Sequence, residues 1–334
     1  KFSKLVEKKY GILVSNCTAA LEIVVKSLRI KKNNEVIIPN FTIISNGLSV
    51  IKNNLKMVPV DCDLKTWNMN IDEAIQKINK KTKAIIATHI YNYPLEIDRL
   101  KKICQKKKIF LIEDAAEVIG LKYKKKYCGS YGDLSVFSFY ANKQITMGEG
   151  GIICTNNKAI ADRCRALKNL CFGRKDRFNH DEIGWNYRAT SMQAALGLSQ
   201  LKRLDKIVSR KKQIGKIYYN LLKDNPYIYI PKPKLKNLDN IYWIVGIVLD
   251  KSKTKTTAKK LSDYLKNNKI LTRPFFWPMN DQNIFKKMNL NNNKNKFPNS
   301  EYLSKNGLYL PSGLGIKNSE ISFICKKLNS YKFN

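Results

Sequence analysis

Six short apolar runs, bounded by turn or polar residues, lie between residues 35 and 155 and restrict what this chain can fold into. They are "EVIIPN" (35–40), "KMVPVDCD" (56–63), "KAIIATHI" (83–90), "IFLIEDAA" (109–116), "LSVFSFY" (134–140) and "GGIICT" (150–155). Their apolar residues are largely consecutive, so strands made from them must be covered on both faces. Helix-like stretches separate several of them, among them "TAALEIVVKSLRI" (18–30) and "EIDRLKKICQKKK" (96–108). In the second, Ile97, Leu100 and Ile103 recur near helical spacing. Strands alternating with helices imply an α/β fold with a largely parallel central sheet. Ligand sites in such sheets gather beyond the carboxyl ends of the strands.

The pattern changes near residue 190. "TSMQAALGLSQLKRLDKIVSRKKQIGKIYYNLLK" reads as one or two long helices, with Thr190 or Ser191 as N-cap. A strand ("IYWIVGIVLD"), a helix ("TAKKLSDYLKNN") and a C-terminal helix from Ser319 follow. The expected organisation is a large α/β domain over residues 1–205, then a connecting helix and a smaller α+β domain over 206–334. The Asn/Lys run at 290–296 is expected to be a surface loop. The chain opens "KFSKLVEKKY", without Met and in a stretch expected to lie within a helix, which suggests a piece of a longer protein.

Composition narrows the function classes. No apolar run approaches the ~18 residues that cross a bilayer, so no membrane partner is expected. Eight scattered cysteines with no CxxC pair, beside only two histidines (His89 and His180), make a metal site unexpected and fit reduced thiols in a cytoplasm. The formal charge of +36 invites a nucleic-acid reading. Yet the lysines are spread from end to end, and no zinc finger, RNP-like motif or basic zipper accompanies them. Nucleic acid is therefore not expected as a partner, although anionic small substrates would benefit from such a field.

"FSFYANKQITMGEGG" (137–151) places one lysine, Lys143, between an apolar strand and a glycine-rich loop. A lysine at the edge of a core loses charge readily and is suited to Schiff-base chemistry; a solvated lysine in a turn is the plainer alternative. Asp114 follows "IFLI" and can reach the carboxyl end of a different strand. An acid and a lysine so placed are the two parts that pyridoxal phosphate needs, while a cap at a strand-to-helix turn also explains the acid. "VSNCTAALEIVV" starts an apolar helix whose first N–H groups, near Thr18 and Ala19, could hold a phosphate, and Ser138 could add a hydroxyl.

Together, "NCTAALEIVVKSL", "NEVIIPNFTIISN", "IEDAAE", "FSFYANKQITMGEGG" and "IGWNYRATSMQAALGLSQL", in this order, resemble the DegT/DnrJ/EryC1/StrS aminotransferases over nearly the whole chain. "TRPFFWPMN" and "GLYLPSG" resemble more narrowly the branch containing GDP-perosamine synthases, which aminate C4 of GDP-4-keto-6-deoxymannose. The resemblance implies a fold-type I enzyme dependent on pyridoxal 5'-phosphate. It implies a nucleotide-linked keto-sugar as substrate, L-glutamate as amino donor and a role in surface glycan biosynthesis. It makes Lys143 the Schiff-base lysine, Asp114 the partner of the pyridine nitrogen and Glu117 the side chain beside the ring hydroxyl. Thr18, Ala19 and Ser138 match phosphate ligands. Asn186 matches a residue reaching the phosphate from a neighbouring subunit, which implies a homodimer with shared active sites.

Several residues depart from the family pattern: Cys17 stands for a glycine, Ile43 for an aromatic, Asn92 for a glycine and Asn280 for a histidine. The last three bear on the sugar rather than the chemistry. A sister group that removes a hydroxyl carries a histidine where Lys143 stands, so the lysine favours transamination. A catalytically silent ligand-binding relative stays open at this stage.

Overall fold

The structure, a computed structural model, describes residues 1–173, 176–180, 182–288 and 296–333. Seven strands form its main sheet: β1 (Tyr10–Val14), β2 (Glu35–Pro39), β3 (Lys56–Val60), β4 (Thr82–Thr88), β5 (Phe110–Asp114), β6 (Leu134–Ser138) and β7 (Gly151–Thr155). Their order is β1-β7-β6-β5-β4-β2-β3. The five strands from β6 to β3 are parallel, and β7 runs antiparallel to both neighbours. Every residue of β6 and β7 is buried, as consecutive apolar runs require. Two apolar cores lie against the sheet. One includes Ile37, Ile85, Leu111 and Phe137; the other includes Val36, Ala84, Ile112 and Val136. These are alternate residues of the same strands, so the cores occupy opposite faces.

The chain start differs from the expectation of a continuous helix. Only Phe2–Leu5 is helical, and "YGILV" then forms the edge strand β1. Its inward residues Ile12 and Val14 alternate with half-buried or exposed ones, a period that five residues hardly reveal after a lysine-rich opening. The first long helix, α1 (Cys17–Ser27), is almost wholly buried.

Past residue 190 the long pattern divides into α2 (Ser191–Leu201), capped at Thr190 by a reciprocal box with Gln193, and α3 (Leu204–Leu222). Leu204 and Ile207 of α3 belong to the core of the main sheet. Ile214, Tyr218 and Leu222 belong to a third core. That core lies against a four-stranded antiparallel sheet in the order Ile228–Tyr229, Val245–Leu249, Gly307–Leu310, Arg273–Pro274. Helices Ala258–Asn267 and Asn318–Asn329 add Leu261, Leu265, Ile321 and Leu328 to it. The 290–296 run lies outside the described residues except for Lys296, which is exposed.

Candidate active site

Parallel pairing brings the carboxyl ends of β4, β5 and β6 to one edge, and the titratable residues gather there. Asp114 ends β5, is 1% exposed and accepts the Ala116 N–H at 3.1 Å. Burial pushes its carboxyl up, against the pull of that amide and of the Lys143 charge. Glu117, also buried, accepts the Tyr91 N–H at 2.7 Å. Its carboxyl is pushed up to about 7, chiefly by burial and further by Asp114, while Lys143 and the Tyr91 amide oppose the rise.

Lys143 is half-buried in the turn after β6, its N–H donating to the Tyr140 carbonyl at 3.0 Å. Burial lowers its pKa, and Glu117, Cys17 and Asp114 work against that. The lysine and both acids therefore lie close enough to act on one another's charge. Cys17 faces the same group, its thiol driven well above the usual range by burial and by Asp114.

The proposed phosphate ligands border this cluster. Asn16 caps α1, its Oδ1 accepting the Ala19 N–H at 2.8 Å, so that amide is already engaged. The N–H groups of Cys17 and Thr18, which have no carbonyl four residues back inside the helix, are left for an anion. The Thr18 hydroxyl pairs with that of Ser45 at 2.8 Å. Ser138 ends β6 and its hydroxyl accepts the Tyr140 N–H at 3.3 Å. The glycine-rich loop has a clear steric use. A Cβ on Gly151 would come within 2.6 Å of the Asn16 backbone, so the loop passes directly against the start of α1.

Asn186 is not in this cluster. It lies exposed in the segment whose Tyr187 carbonyl accepts the Ser15 N–H at 2.9 Å, just ahead of α1. Of the departures from the family pattern, Ile43 is 41% exposed, whereas Asn92 is fully buried with both amide atoms unpartnered. Asn280 forms a reciprocal pair with Asn40, which follows β2: Asn40 Nδ2 donates to Asn280 Oδ1 at 2.8 Å, and the Asn280 N–H donates to Asn40 Oδ1 at 3.0 Å.

Sequence reasoning passed over the network beneath the site. His89 is fully buried; the Leu95 N–H donates to its Nδ1 at 2.8 Å, so Nε2 carries the proton and donates to Glu113 at 3.0 Å. The Glu113 carboxylate also accepts the N–H groups of Gly129, Tyr131 and Gly132. Burial would raise its pKa, but these donors hold it below the usual carboxylate range. A depressed folded-state pKa stabilises the fold at every pH above the unfolded value, and that stability is lost as the pH falls through the folded one. Glu113→Gln is expected to lower stability at neutral pH by roughly 2–3 kcal/mol, read by urea denaturation. The loss should shrink in acid, and an equal loss at every pH would contradict the ionised state. The signal in the sequence was Glu113 itself, an acid directly after the apolar run Phe110–Ile112 and one residue before Asp114.

The sequence pattern of DegT/DnrJ/EryC1/StrS aminotransferases matches residues 1–329. The chain belongs to this family. It is 35% identical to the GDP-perosamine synthase of Escherichia coli O157:H7 over 331 residues, covering 99% of this chain and 88% of that protein. It is 34% identical to the GDP-perosamine synthase of Vibrio cholerae, covering 99% of this chain and 89% of that one. Among solved structures, Helicobacter pylori PseC, an aminotransferase of pseudoaminic acid biosynthesis, superposes with a TM-score of 0.90 at 23% identity, over 98% of this chain and 88% of its own. That likeness establishes the shared fold.

This aminotransferase depends on pyridoxal phosphate, and its residues fit that cofactor. Asp114 is a buried carboxylate whose pKa burial raises despite the Ala116 amide, the Lys143 charge, His89 and a hydrogen bond from Asn46, so a cationic ring nitrogen would suit it. Orphaned buried oxygens, Asn46 Oδ1 and Gln144 Oε1, mark the same region: Asn46 donates to Thr88 at the end of β4, and Gln144 follows Lys143.

Proposed function

We propose that this enzyme transfers the amino group of L-glutamate to a nucleotide-linked 4-keto-6-deoxyhexose, with GDP-4-keto-6-deoxymannose as acceptor and GDP-perosamine as product. The observation that carries the reading is the electrostatic cluster of Lys143, Asp114 and Glu117 at the strand ends, in a chain that matches two GDP-perosamine synthases over 99% of its length. When bound, pyridoxal phosphate would supply an electron sink for the broken Cα–H bond and a carrier for the amino group.

The protein supplies the rest. Lys143 Nζ would hold the cofactor and, once released, take the proton from the donor's α-carbon; burial lowers its pKa, which favours the neutral form that this requires. Asp114 holds the ring nitrogen protonated. Glu117, near pH 7, can hold or give up a proton beside the ring hydroxyl. Thr18, Ser138 and the first amides of α1 bind the phosphate. One pocket serves both substrates in turn, so the kinetics should be ping-pong. Incubation with glutamate and a panel of nucleotide 4-keto-sugars tests the assignment. Amination of the GDP sugar is expected, and exclusive amination of a dTDP or UDP sugar would overturn it. That second reading has its own support in Ile43, Asn92 and Asn280, the departures that bear on the sugar.

The reading includes a homodimer. Helix α2 is apolar yet buries none of its residues; Met192 is 82% exposed and Leu196 and Leu198 are each 44% exposed. Phe178 and Ile183, shortly before it, are both 80% exposed. A second copy is the natural cover for such a surface, and it would bring Asn186 to its partner's site. Distributed lysines oppose this weakly, because the Debye length is only ~8 Å at physiological salt. Mixing Lys143→Ala subunits with Asn186→Ala subunits should restore up to about a quarter of normal activity: one site of each mixed dimer receives both defects and the other neither. A fully active monomer in sedimentation at assay concentration would exclude a shared site.

A further inference from the structure

Trp243 has no role in the chemistry above, yet it lies directly over Lys143. The lysine Nζ is 3.5 Å from the centre of the indole ring. The indole N–H donates to the carbonyl of Asn142 at 2.9 Å, the peptide that leads into Lys143. The ring is thus fixed to the same turn that carries the lysine. Tyr91 also packs against the ring, 5.9 Å between centroids, and two residues before Trp243 the Ile241 N–H donates to the Asn92 carbonyl at 3.0 Å. Only 6% of Trp243 is exposed.

The face of an indole attracts a cation, and the attraction strengthens where water is excluded. A lysine joined to a cofactor through Nζ presents no primary ammonium, so the detached residue is the one that brings an ammonium to this face. We propose that Trp243 is a positioning residue for Lys143: its indole face holds the lysine ammonium whenever the amine is detached from the cofactor. The other groups acting on Lys143 are Glu117, Cys17 and Asp114; Glu117 in turn accepts the Tyr91 N–H and raises the pKa of the Tyr91 and Tyr309 hydroxyls. Without the indole these carboxylates would draw the ammonium toward the floor of the pocket. With it, the lysine waits beside its own turn while the second substrate enters. This rests on the reading of Lys143 as the cofactor lysine.

The test is trace acetylation of Lys143 with acetic anhydride from neutral to alkaline pH, located by peptide mass spectrometry. It is run on the full chain loaded with pyridoxamine 5'-phosphate, in which the lysine is free. Trp243→Leu removes the cation's platform, so the labelling midpoint should fall and Lys143 should react about five-fold faster at neutral pH. Trp243→Phe keeps a weaker face and loses the anchor, so a smaller shift in the same direction is expected. A merely structural tryptophan gives the opposite sign, because a loosened, wetter pocket favours the ammonium and raises the midpoint. An unchanged or raised midpoint overturns the proposal, and Trp243→Phe decides it alone if the leucine variant does not fold. Borohydride fixation of pyridoxal phosphate onto Lys143 is read separately. Its failure would remove the cofactor-lysine assignment, whatever the tryptophan does.

Discussion

Lys143→Ala should lower turnover by roughly 10⁴-fold or more while leaving the fold intact. Two functions disappear together. The amine that fixes the cofactor is lost, and so is the base that moves the donor's α-proton. Neither is replaced by a neighbour: Asp114 and Glu117 cannot form the linkage, and the Cys17 thiol stays protonated. Stability should change little, because burial disfavours the charge of this half-buried lysine and its removal relieves that cost. Lys143→Arg sharpens the test, since it keeps a cation against Trp243 but never yields a free amine near neutrality. Borohydride treatment in the presence of pyridoxal phosphate should label the native chain at Lys143 and neither variant. An alanine variant labelled at normal stoichiometry would assign the cofactor linkage to another lysine.

Much of the fold is legible in the sequence, for specific reasons. The strand runs at 35, 56, 83, 109, 134 and 150 stand out because a sheet covered on both faces demands consecutive apolar residues. Capping chemistry marks the start of α2 at Thr190. Asp114 and Lys143 are visible because their residue types are anomalous beside apolar strands.

What the sequence hides depends on distant contacts. Trp243 reads as one apolar residue in a strand-like run, 100 positions from the lysine it covers. The Ala19 amide looks available until Asn16, three residues earlier, turns back to cap it. Asn186 falls outside the pocket in one copy of the chain, and no pattern within a single chain reveals what a second copy would bring. The Asn40–Asn280 pair joins residues 240 positions apart, and no local propensity encodes it.

Asp114→Asn should lower turnover nearly as far as Asp114→Ala, by roughly 10³-fold, although the amide preserves size and shape. The carboxylate's service is its charge: it keeps a proton on the ring nitrogen and so keeps the ring able to take up electrons. An amide offers no such charge in a pocket that excludes water. The unloaded protein gives an independent and opposite readout. Burial holds the Asp114 pKa above its ordinary value, so at any pH above the folded pKa the ionised group costs stability. Replacing it with neutral asparagine should therefore raise the melting temperature of the unloaded chain at neutral pH. Pyridoxal phosphate stabilises the native chain by binding it, and it should stabilise the asparagine variant less, because the ring nitrogen has lost its counter-charge. The two melting curves thus cross in sign: the variant is the more stable without cofactor and gains less with it. A simple capping role for Asp114 predicts neither half, since loss of a cap destabilises the unloaded chain and leaves the cofactor's contribution unchanged. Near-normal turnover with unchanged melting on loading would reduce Asp114 to a cap and leave the ring nitrogen without a partner in this pocket.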